Sequence, residues 1–499
     1  MRLTVMDQSR LEQAFQHACR LQESGHYRQA EQAYRRFLGE YPDHAGGHNN
    51  LGLVLMALGE LDEAVTRFRQ VVALQPDHAQ AHNNMGVAYK RMARPQQALD
   101  CYAAALRCRP AYAQALLNVG TIYYELKDYD EALIWYQAAL EVDPDQIEVH
   151  MNLAAIFESR GELEEAKKHR DAVYSRKAVY VDHACDPRMT VLVLWGAGLG
   201  NIPTEYLLPR KSVTRIVCVI EYARPDELAR LPDYDLVLNA IGDPDVMDPA
   251  LEPMARLLHT CGKPVINPAQ AVARTARHLI PDLLGGIENV VVPCTLRVES
   301  AALRDALHAL PGNRFPILLR PVGSHGGDHL DKLESKADVA AFKPWPAPYY
   351  YLTDYVDYAS ADAGFRKYRV IFVDRQPYAY HLAIGSHWIV HHDTAGMQHD
   401  ARKRREEEAF LADPRQALGD KAMAAIEALG HVLDLDYGGV DFSVLPDGRV
   451  LVFEANATML AHPEKTQDIY DYKNPYVQKI YDAFDAMLAR RMAAARGHV

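Results

Sequence analysis

The chain has few cysteines and no long apolar run, and each of these deficits excludes a class of protein. Its seven cysteines among 499 residues are odd in number and form no Cys-x-x-Cys pair, which disfavours a disulfide framework and a zinc site. No stretch approaches 18 consecutive apolar residues, and no apolar signal segment opens the sequence. We therefore expect a soluble protein of the reducing cytoplasm.

Basic residues are also in deficit. The chain has 54 Lys and Arg against 66 Asp and Glu, which gives a formal net charge of −12 at pH 7. That balance disfavours nucleic acid or an anionic membrane as the main partner. At this length the chain has room for three or more domains with cores of their own.

The first third of the chain contains an internal repeat of 34 residues. The repeated positions are prolines at 42, 76, 110 and 144, alanines at 30, 64, 98, 132 and 166, and aromatic residues at 34, 68, 102 and 136. This pattern resembles the tetratricopeptide helix-turn-helix repeat. The resemblance implies an all-α solenoid over residues 8–174, with about 4.5 repeats and a concave groove.

One position in the first helix of successive repeats is an asparagine. The column consists of Asn50, Asn84, Asn118 and Asn152. Asparagine is a poor helix-interior residue, and the consensus packing of the repeat does not need it there. An amide ladder of this kind can hydrogen-bond an extended peptide backbone, as in some tetratricopeptide proteins that this region resembles. We predict a peptide or protein in the groove; the alternative is local bonding within the helices.

A different pattern begins after a predicted linker at residues 175–189. Apolar strands such as 190–195 and 215–220 alternate with other elements over residues 190–275, which predicts an α/β, Rossmann-like subdomain. A glycine turn at residues 196–201 follows the first strand, but its spacing is not that of a dinucleotide fingerprint. Nicotinamide binding is therefore the weaker alternative.

Two carboxylates and an amide converge on a predicted hairpin near residues 438–456. Alternation along its second strand puts Glu454 and Asn456 on one face, and Asp441 on the first strand can face the same pocket. Hard oxygen ligands of this kind suit Mg²⁺ that arrives on nucleotide phosphates. The alternative is a solvated acidic edge, which the apolar run at residues 450–453 disfavours.

Upstream segments supply the other parts of a nucleotide site. Residues 315–321 predict a buried strand that carries Arg320, and the glycine-rich loop 322–327 follows it. Backbone amides of such a loop can lie over phosphates because glycine permits close approach. The tyrosine-rich run 349–356 predicts a strand and hinge against which adenine could stack, with core aromatics as the alternative.

Taken in order, these segments resemble the ATP-grasp superfamily over roughly residues 191–490. The resemblance implies a multidomain chain in which a Rossmann-like pre-ATP-grasp subdomain precedes an α+β ATP-grasp fold at residues 276–495. It implies ATP and Mg²⁺ as cofactors, with Asp441, Glu454 and Asn456 as the metal ligands. The implied ATP-binding residues are Arg277, Arg320, Gly323, Ser324, Gly326, Gly327, Asp354, Val356 and Phe453, and the implied catalytic residues are Arg369 and Arg320.

The resemblance also implies the chemistry. ATP-grasp enzymes mostly activate a carboxylate as an acyl phosphate, which an amine then attacks, and catalysis rests on positioning and charge neutralisation. Residues 381–392, rich in histidine, are candidates for the acceptor side. We predict a carboxylate–amine ligase whose repeats bind a peptide or protein substrate or partner. The alternatives are an amino-acid or dipeptide ligase with a docking arm, and a nucleotide-binding scaffold without turnover.

Overall fold

The computed structural model divides the chain into two compact units, Met1–Val173 and Tyr174–Val499. It describes residues 5–198, 200–324, 327, 329–392, 394–465 and 468–496. Among these residues, no helix combines the length and the apolar character that a membrane span requires.

The described part of the first unit is entirely helical. Its helices are α1 Val5–Glu23, α2 Tyr27–Glu40, α3 Ala45–Leu58, α4 Leu61–Leu74, α5 Ala79–Arg91, α6 Pro95–Cys108, α7 Ala113–Glu125, α8 Tyr129–Val142, α9 Ile147–Ser159 and α10 Leu163–Tyr174. The first eight pack as consecutive pairs. Helices α9 and α10 meet through Phe157 and His169, whose ring centroids lie 5.6 Å apart. The described residues therefore contain five helix pairs, where the sequence predicts about 4.5 repeats.

A glycine in one helix meets an aromatic ring of the next helix in three successive pairs. An added Cβ would lie 2.6 Å from the Phe68 ring at Gly52 and 2.5 Å from the Tyr102 ring at Gly86. Gly120 is related in the same way to Tyr136, at 2.7 Å. Only a residue without a side chain allows this close approach, so the period of 34 residues in the sequence reflects a packing contact.

A second periodic contact was not predicted from the sequence. The imidazole Nε2 of His48 lies 2.8 Å from the carbonyl oxygen of Pro42, and His82 stands 3.1 Å from that of Pro76. His150 repeats the contact with Pro144 at 2.9 Å. Each contact ties the first helix of a repeat to the turn that precedes it.

The second unit combines three sheets with helices of 4 to 23 residues in its described residues. The strands are β1 Val179–Asp182, β2 Met189–Trp195, β3 Val213–Val219, β4 Leu236–Asn239, β5 Val265–Ile266, β6 Val290–Val291, β7 Thr295–Glu299, β8 Ile317–Pro321, β9 Asp331–Leu333, β10 Tyr349–Asp354, β11 Phe365–Val373, β12 Gln376–Gly385, β13 Tyr437–Val444 and β14 Val450–Asn456. The α-helices are α11 Thr204–Leu207, α12 Pro225–Leu228, α13 Asp248–Cys261, α14 Ala269–Ala273, α15 Ile280–Leu284, α16 Leu303–Ala309, α17 Lys336–Ala341, α18 Ala401–Ala412, α19 Pro414–Leu418, α20 Asp420–Leu433 and α21 Asn474–Arg496.

The strand orders separate one mostly parallel sheet from two mostly antiparallel sheets. The first sheet has the order β1-β3-β2-β4-β5, with β2 to β5 parallel and β1 antiparallel. The second sheet, β7-β10-β8-β9, is antiparallel throughout. The third, β12-β11-β13-β14-β6, is antiparallel except where β6 joins β14.

The predicted linker at residues 175–189 is wrong for part of its length. Strand β1 lies inside it and pairs with β3, with Val179 opposite Cys218. Met189, the last predicted linker residue, already belongs to β2. Four residues with alternating valines are enough for an edge strand, and the charged residues around them obscured the pattern.

The largest apolar core of the second unit joins the two predicted subdomains. It contains Leu192 and Ile216 of the first sheet together with Ile371 and Tyr437 of the third sheet, and Phe484 of α21 also belongs to it. Residues 190–275 therefore share a core with residues of the predicted ATP-grasp region.

Candidate functional site

A cavity of about 260 Å³ in the second unit brings together most of the predicted ATP-site residues. Its walls come mainly from the second and third sheets. The predicted residues that line it are Arg277, Arg320, Gly327, Asp354, Val356, Arg369, Asp441, Phe453 and Glu454. Gly323, Ser324 and Asn456 are not among its lining residues, and Gly326 lies outside the described residues.

A row of polar side chains crosses the third sheet beside this cavity. His381 is opposite Arg369, Arg369 is opposite Asp441, and Asp441 is opposite Glu454. Residues directly opposite each other on neighbouring strands project from the same face of a sheet. The register therefore places the Arg369 guanidinium between His381 on one side and the carboxylates of Asp441 and Glu454 on the other.

A β-bulge interrupts the pairing of β13 with β14 beside the cavity. The pairing shifts between Asp441 and Phe442, so that Asp441 pairs with Glu454 and Phe442 pairs with Val452. Without the bulge, Phe453 would pair with Asp441; with it, Glu454 does, and the two carboxylates lie side by side next to a cavity that residues 451–455 all line. No residue in the sequence signals this bulge.

The Asp441 carboxylate is ionised and paired with two cations. The Arg369 guanidinium donates to both of its oxygens, at 2.6 and 2.9 Å, and Lys367 Nζ lies 3.2 Å away. Burial alone would raise the pKa of Asp441, but Arg369 and Lys367 outweigh burial and hold the pKa far below its ordinary value. Asp441 is therefore negative at any physiological pH.

The Glu454 carboxylate accepts hydrogen bonds from Arg277 and from Asn456, whose Nδ2 lies 2.7 Å from Oε1. Burial would raise the pKa of this group as well. The positive charges of Arg277 and Arg320 reverse that effect and lower the pKa of Glu454 to about 2. Two permanent carboxylates thus stand side by side in an enclosed site.

These carboxylates fit a hard divalent cation better than Asn456 does. The Asn456 Oδ1 accepts from the Thr458 amide at 3.0 Å and from its hydroxyl at 2.9 Å, so this oxygen is already engaged. Its predicted role as a ligand requires another side-chain orientation. Among the described residues, no group of three or more His, Cys, Asp and Glu is arranged to hold a metal. Asp441 and Glu454 would supply part of a Mg²⁺ shell, and phosphate and water oxygens the rest.

Arg320 is a cation that no carboxylate pairs with in the described part of the chain. Its guanidinium donates to Ser324, through Nε to Oγ at 3.2 Å and through Nη2 to the carbonyl oxygen. Burial and the neighbouring charge of Arg277 lower the pKa of Arg320 to about 10. An anion in the cavity would relieve both effects.

The glycine-rich loop after Arg320 reaches the cavity at one described position. Gly327 has φ +78°, and a Cβ there would lie 2.6 Å from Nε2 of His391, which also lines the cavity. Gly323 has φ +82° with open space around it. Both positions need glycine for backbone conformation, as the prediction of a phosphate-covering loop requires.

An apolar slot lies at the end of the cavity near β10. Phe453 packs on Tyr358 with ring centroids 4.8 Å apart, and Val356 and Trp388 line the same region. Asp354, predicted beside the nucleotide, is paired with Arg314 at 2.6 Å. The slot offers flat apolar walls with a charged pair at the rim.

The predicted acceptor segment splits between the cavity and a buried polar cluster. Trp388 and His391 line the cavity, whereas the ring of His381 stacks on that of His392, 5.5 Å away. Glu407 is fully buried and accepts from the amide of Leu382 at 3.1 Å and the hydroxyl of Tyr472 at 2.5 Å. A charged run at residues 402–408 suggests a solvated helix, so the burial of Glu407 was not foreseen.

Neutral His381 should make the second unit less stable in acid. Burial, Arg369 and Lys473 keep the pKa of His381 well below 6.5, so the folded chain excludes a proton that the unfolded chain binds. The contribution of His381 to the free energy of unfolding is fully present above pH 6.5. As the pH drops below 6.5, this contribution decreases by up to about 1.4 kcal/mol per pH unit. Urea unfolding between pH 7 and 5, followed by a probe local to the second unit, should show a smaller pH dependence in His381→Gln than in wild type. Exposed His387→Gln is the control, and equal pH slopes in wild type and His381→Gln would contradict this assignment.

The asparagine column of the first unit is hydrogen-bonded between neighbouring helices. Asn84 Nδ2 donates to Asn49 Oδ1 at 3.2 Å, and Asn118 Nδ2 donates to Asn83 Oδ1 at 2.9 Å. Asn50 donates to the Tyr34 hydroxyl at 3.2 Å, and Asn152 donates to that of Tyr136 at 2.9 Å. Asn50 also donates to Cys19 Sγ at 3.7 Å, whereas the amides of Asn84, Asn118 and Asn152 each have a second N–H. Peptide binding therefore stays a prediction beside this structural role.

Comparison with known proteins bears on the first unit. Two family models described as tetratricopeptide repeat match residues 43–111 and 83–147. Similar solved structures include MamA 41-end from Desulfovibrio magneticus RS-1, with 22% identity over 32% of this chain and 90% of that chain (TM-score 0.29). TTC0263 from Thermus thermophilus has 24% identity over 34% and 91% (TM-score 0.30), and PilF from Pseudomonas aeruginosa 21% over 32% and 74% (TM-score 0.31). No curated protein matches the chain. The two family models show that the N-terminal region contains tetratricopeptide repeats, and such repeats indicate a protein partner.

Proposed function

We propose that the second unit is an ATP-grasp ligase that uses ATP and Mg²⁺ to join a carboxylate to an amine. The observation that carries this proposal is the Arg369–Asp441–Glu454 row, which faces Arg320 across one cavity. The repeats would bring a peptide or protein to this site. In the fold itself, a Rossmann-like sheet would precede the ATP-grasp region.

The charge of the cavity supports a polyanionic ligand. Four cations line it, namely Arg277, Arg320, Lys367 and Arg369. Of the three lining carboxylates, Asp354 is already paired with Arg314, which leaves Asp441 and Glu454 against the four cations. Buried charge in excess is unfavourable unless a ligand compensates it, and nucleotide phosphates have the required sign.

The apolar and charged residues of the cavity follow one another in the order in which the base and the phosphates occur in ATP. The apolar slot formed by Val356, Tyr358 and Phe453 suits a purine ring, which stacks on aromatic side chains. Along β14, Glu454 follows Phe453 directly, so phosphates would lie beside the carboxylates when the base fills the slot. Arg320 and Gly327 would then contact the phosphates from the opposite sheet.

The residues of the site would divide the work between binding and charge stabilisation. Asp441 holds the Arg369 guanidinium in a fixed orientation, and Arg369 would neutralise charge on the phosphoryl group as it passes to the substrate carboxylate. Asp441 and Glu454 would hold Mg²⁺, which would neutralise phosphate charge. An amine then displaces phosphate from the acyl phosphate, which requires no protein nucleophile.

The proposal predicts ADP and phosphate release that depends on an acceptor. We would measure release with Mg²⁺ and ATP across amino acids, dipeptides and peptides, for wild type and for Glu454→Gln. The variant should lose activity by about 10²-fold or more, because a charge that stabilises the reacting phosphates is removed. Exposed Glu408→Gln serves as the control.

The panel of acceptors also separates the alternatives. Release with peptides but not with free amino acids would support recruitment by the repeats, and the reverse would favour a small-molecule ligase with a docking arm. Tight Mg-ATP binding without release for any acceptor would favour a nucleotide-binding scaffold and would overturn the ligase proposal.

A further inference from the structure

The Glu454 carboxylate, a predicted metal ligand, contacts both another predicted metal ligand, Asn456, and a predicted ATP-binding residue, Arg277. Arg277 Nη2 donates to its Oε1, the same oxygen that accepts from Asn456 at 2.7 Å. The side chains of Arg277 and Glu454 are 21% and 24% exposed, so water screens this ion pair only partly. A divalent cation at Glu454 must therefore displace, or share the carboxylate with, a guanidinium.

The neighbouring carboxylate offers no easier position. Both oxygens of Asp441 already accept from Arg369, and Lys367 lies 3.2 Å from one of them. Asp441 is 3% exposed and lies beside Glu454 in the register. A cation that enters between the two carboxylates thus meets a guanidinium on each side.

Displacement of Arg277 costs it the ion pair with Glu454 and leaves Asp243 and Asp245 as the carboxylates whose charge still acts on it. Arg277 lies near Arg320, whose pKa it lowers by charge repulsion. Loss of the Glu454 contact would leave two guanidinia close together in an enclosed site. A phosphate chain could accept from both, because guanidinium groups bind phosphate oxygens through paired donors.

We propose that Arg277 and the divalent metal compete for Glu454, so that metal binding is coupled to nucleotide binding through Arg277. This inference rests on the proposed function of the cavity and adds a linkage to it. Metal alone binds weakly because Arg277 occupies the carboxylate. Nucleotide phosphates draw Arg277 away and expose Glu454 to the metal, and by reciprocity the metal strengthens nucleotide binding.

The test is a titration with Mn²⁺, a paramagnetic substitute for Mg²⁺, in which electron paramagnetic resonance reports the free ion. Wild type is titrated with and without AMP-PNP, a nucleotide that is not hydrolysed, and the Mn²⁺ that AMP-PNP binds in the absence of protein is measured in parallel and subtracted. We expect AMP-PNP to raise the affinity for Mn²⁺ by about tenfold or more in wild type. In Arg277→Gln, Mn²⁺ alone should bind about tenfold more tightly than in wild type, and the gain from AMP-PNP should shrink by the same factor.

A matched control is available on the same stretch of chain. Arg274 lies three residues earlier and donates to the carbonyl oxygen of Leu433 rather than to Glu454. Arg274→Gln should therefore keep the wild-type coupling. Arg277→Lys keeps the charge but has a single donor group, so it should shift Mn²⁺ affinity in the same direction by less, and it serves where Arg277→Gln does not fold.

The outcomes separate the inference from the proposed function. If wild type shows coupling but neither Arg277 variant changes the affinity for Mn²⁺ alone, competition at Glu454 is overturned and the nucleotide site stands. If wild type binds neither AMP-PNP nor its Mn²⁺ complex, the proposed function itself fails. If wild type binds Mn²⁺ alone as tightly as it does with AMP-PNP, the sites are uncoupled and the inference also fails.

Discussion

Asp441→Leu is expected to destabilise the second unit by about 3–5 kcal/mol. The carboxylate is 3% exposed and carries two cations, Arg369 in bidentate contact and Lys367 at 3.2 Å. Leucine has a similar volume and leaves both cations without their partner in an enclosed site. The loss comes mainly from these stranded charges, since the exchange of a paired carboxylate for an apolar group is mild when its partner goes too.

The measurement is hydrogen exchange in increasing urea, read by mass spectrometry for peptides of residues 174–499. A local readout is needed because a chain of two units does not unfold in one step. Arg366→Met is the control, since Arg366 pairs with Asp362 and Glu406, which are 59% and 41% exposed, and such pairs contribute less than about 1 kcal/mol. Asp441→Leu with Arg369→Met should recover most of the loss. A double variant as unstable as the sum of the single variants would show that the pair does not act as a unit.

Local periodicity predicts the elements that depend on neighbours in sequence. The 34-residue period locates the repeats because the same close contact of a glycine with an aromatic ring, such as Gly86 with Tyr102, recurs in three successive helix pairs. The hairpin at residues 437–456 was predicted from a turn between two apolar runs, and its strands do pair. The turn explains the pairing of Phe442 with Val452, but that register would place Phe453 opposite Asp441, and only the bulge places Glu454 there.

Contacts between distant segments and breaks in periodicity were not predictable from the sequence. Arg277 and Glu454 are 177 residues apart, and no local pattern specifies which carboxylate an arginine will meet. The bulge at Phe453 reverses the face of every residue after it, and alternation cannot detect it. The burial of Glu407 was not predictable either, because this residue lies in a run of charged residues that is typical of a solvated helix.

Tyr102→Ala is expected to destabilise the first unit by about 3–5 kcal/mol, since a fully buried ring would leave a cavity between helices α5 and α6. Its hydroxyl is buried and has no hydrogen-bond partner among the described residues. Tyr102→Phe should therefore be neutral or stabilising, and it distinguishes the contribution of the ring from that of the hydroxyl.

Tyr136→Phe is the matched comparison, because the Tyr136 hydroxyl accepts a hydrogen bond from Asn152 at 2.9 Å. Loss of this hydrogen bond should lower the stability of the first unit by about 0.5–1.5 kcal/mol.

The contact between Gly86 and the Tyr102 ring can also be tested by a substitution of the glycine. A Cβ at Gly86 would stand 2.5 Å from the Tyr102 ring, so Gly86→Ala should lower stability by about 1–3 kcal/mol through overpacking. In the Tyr102→Ala background the same methyl group has room, and the second substitution should then be nearly neutral or stabilising. Hydrogen exchange of peptides from α5 and α6 would measure the difference. If the two losses simply add, the glycine is not required by the ring, and the 34-residue pairing of glycine with an aromatic residue needs another physical cause.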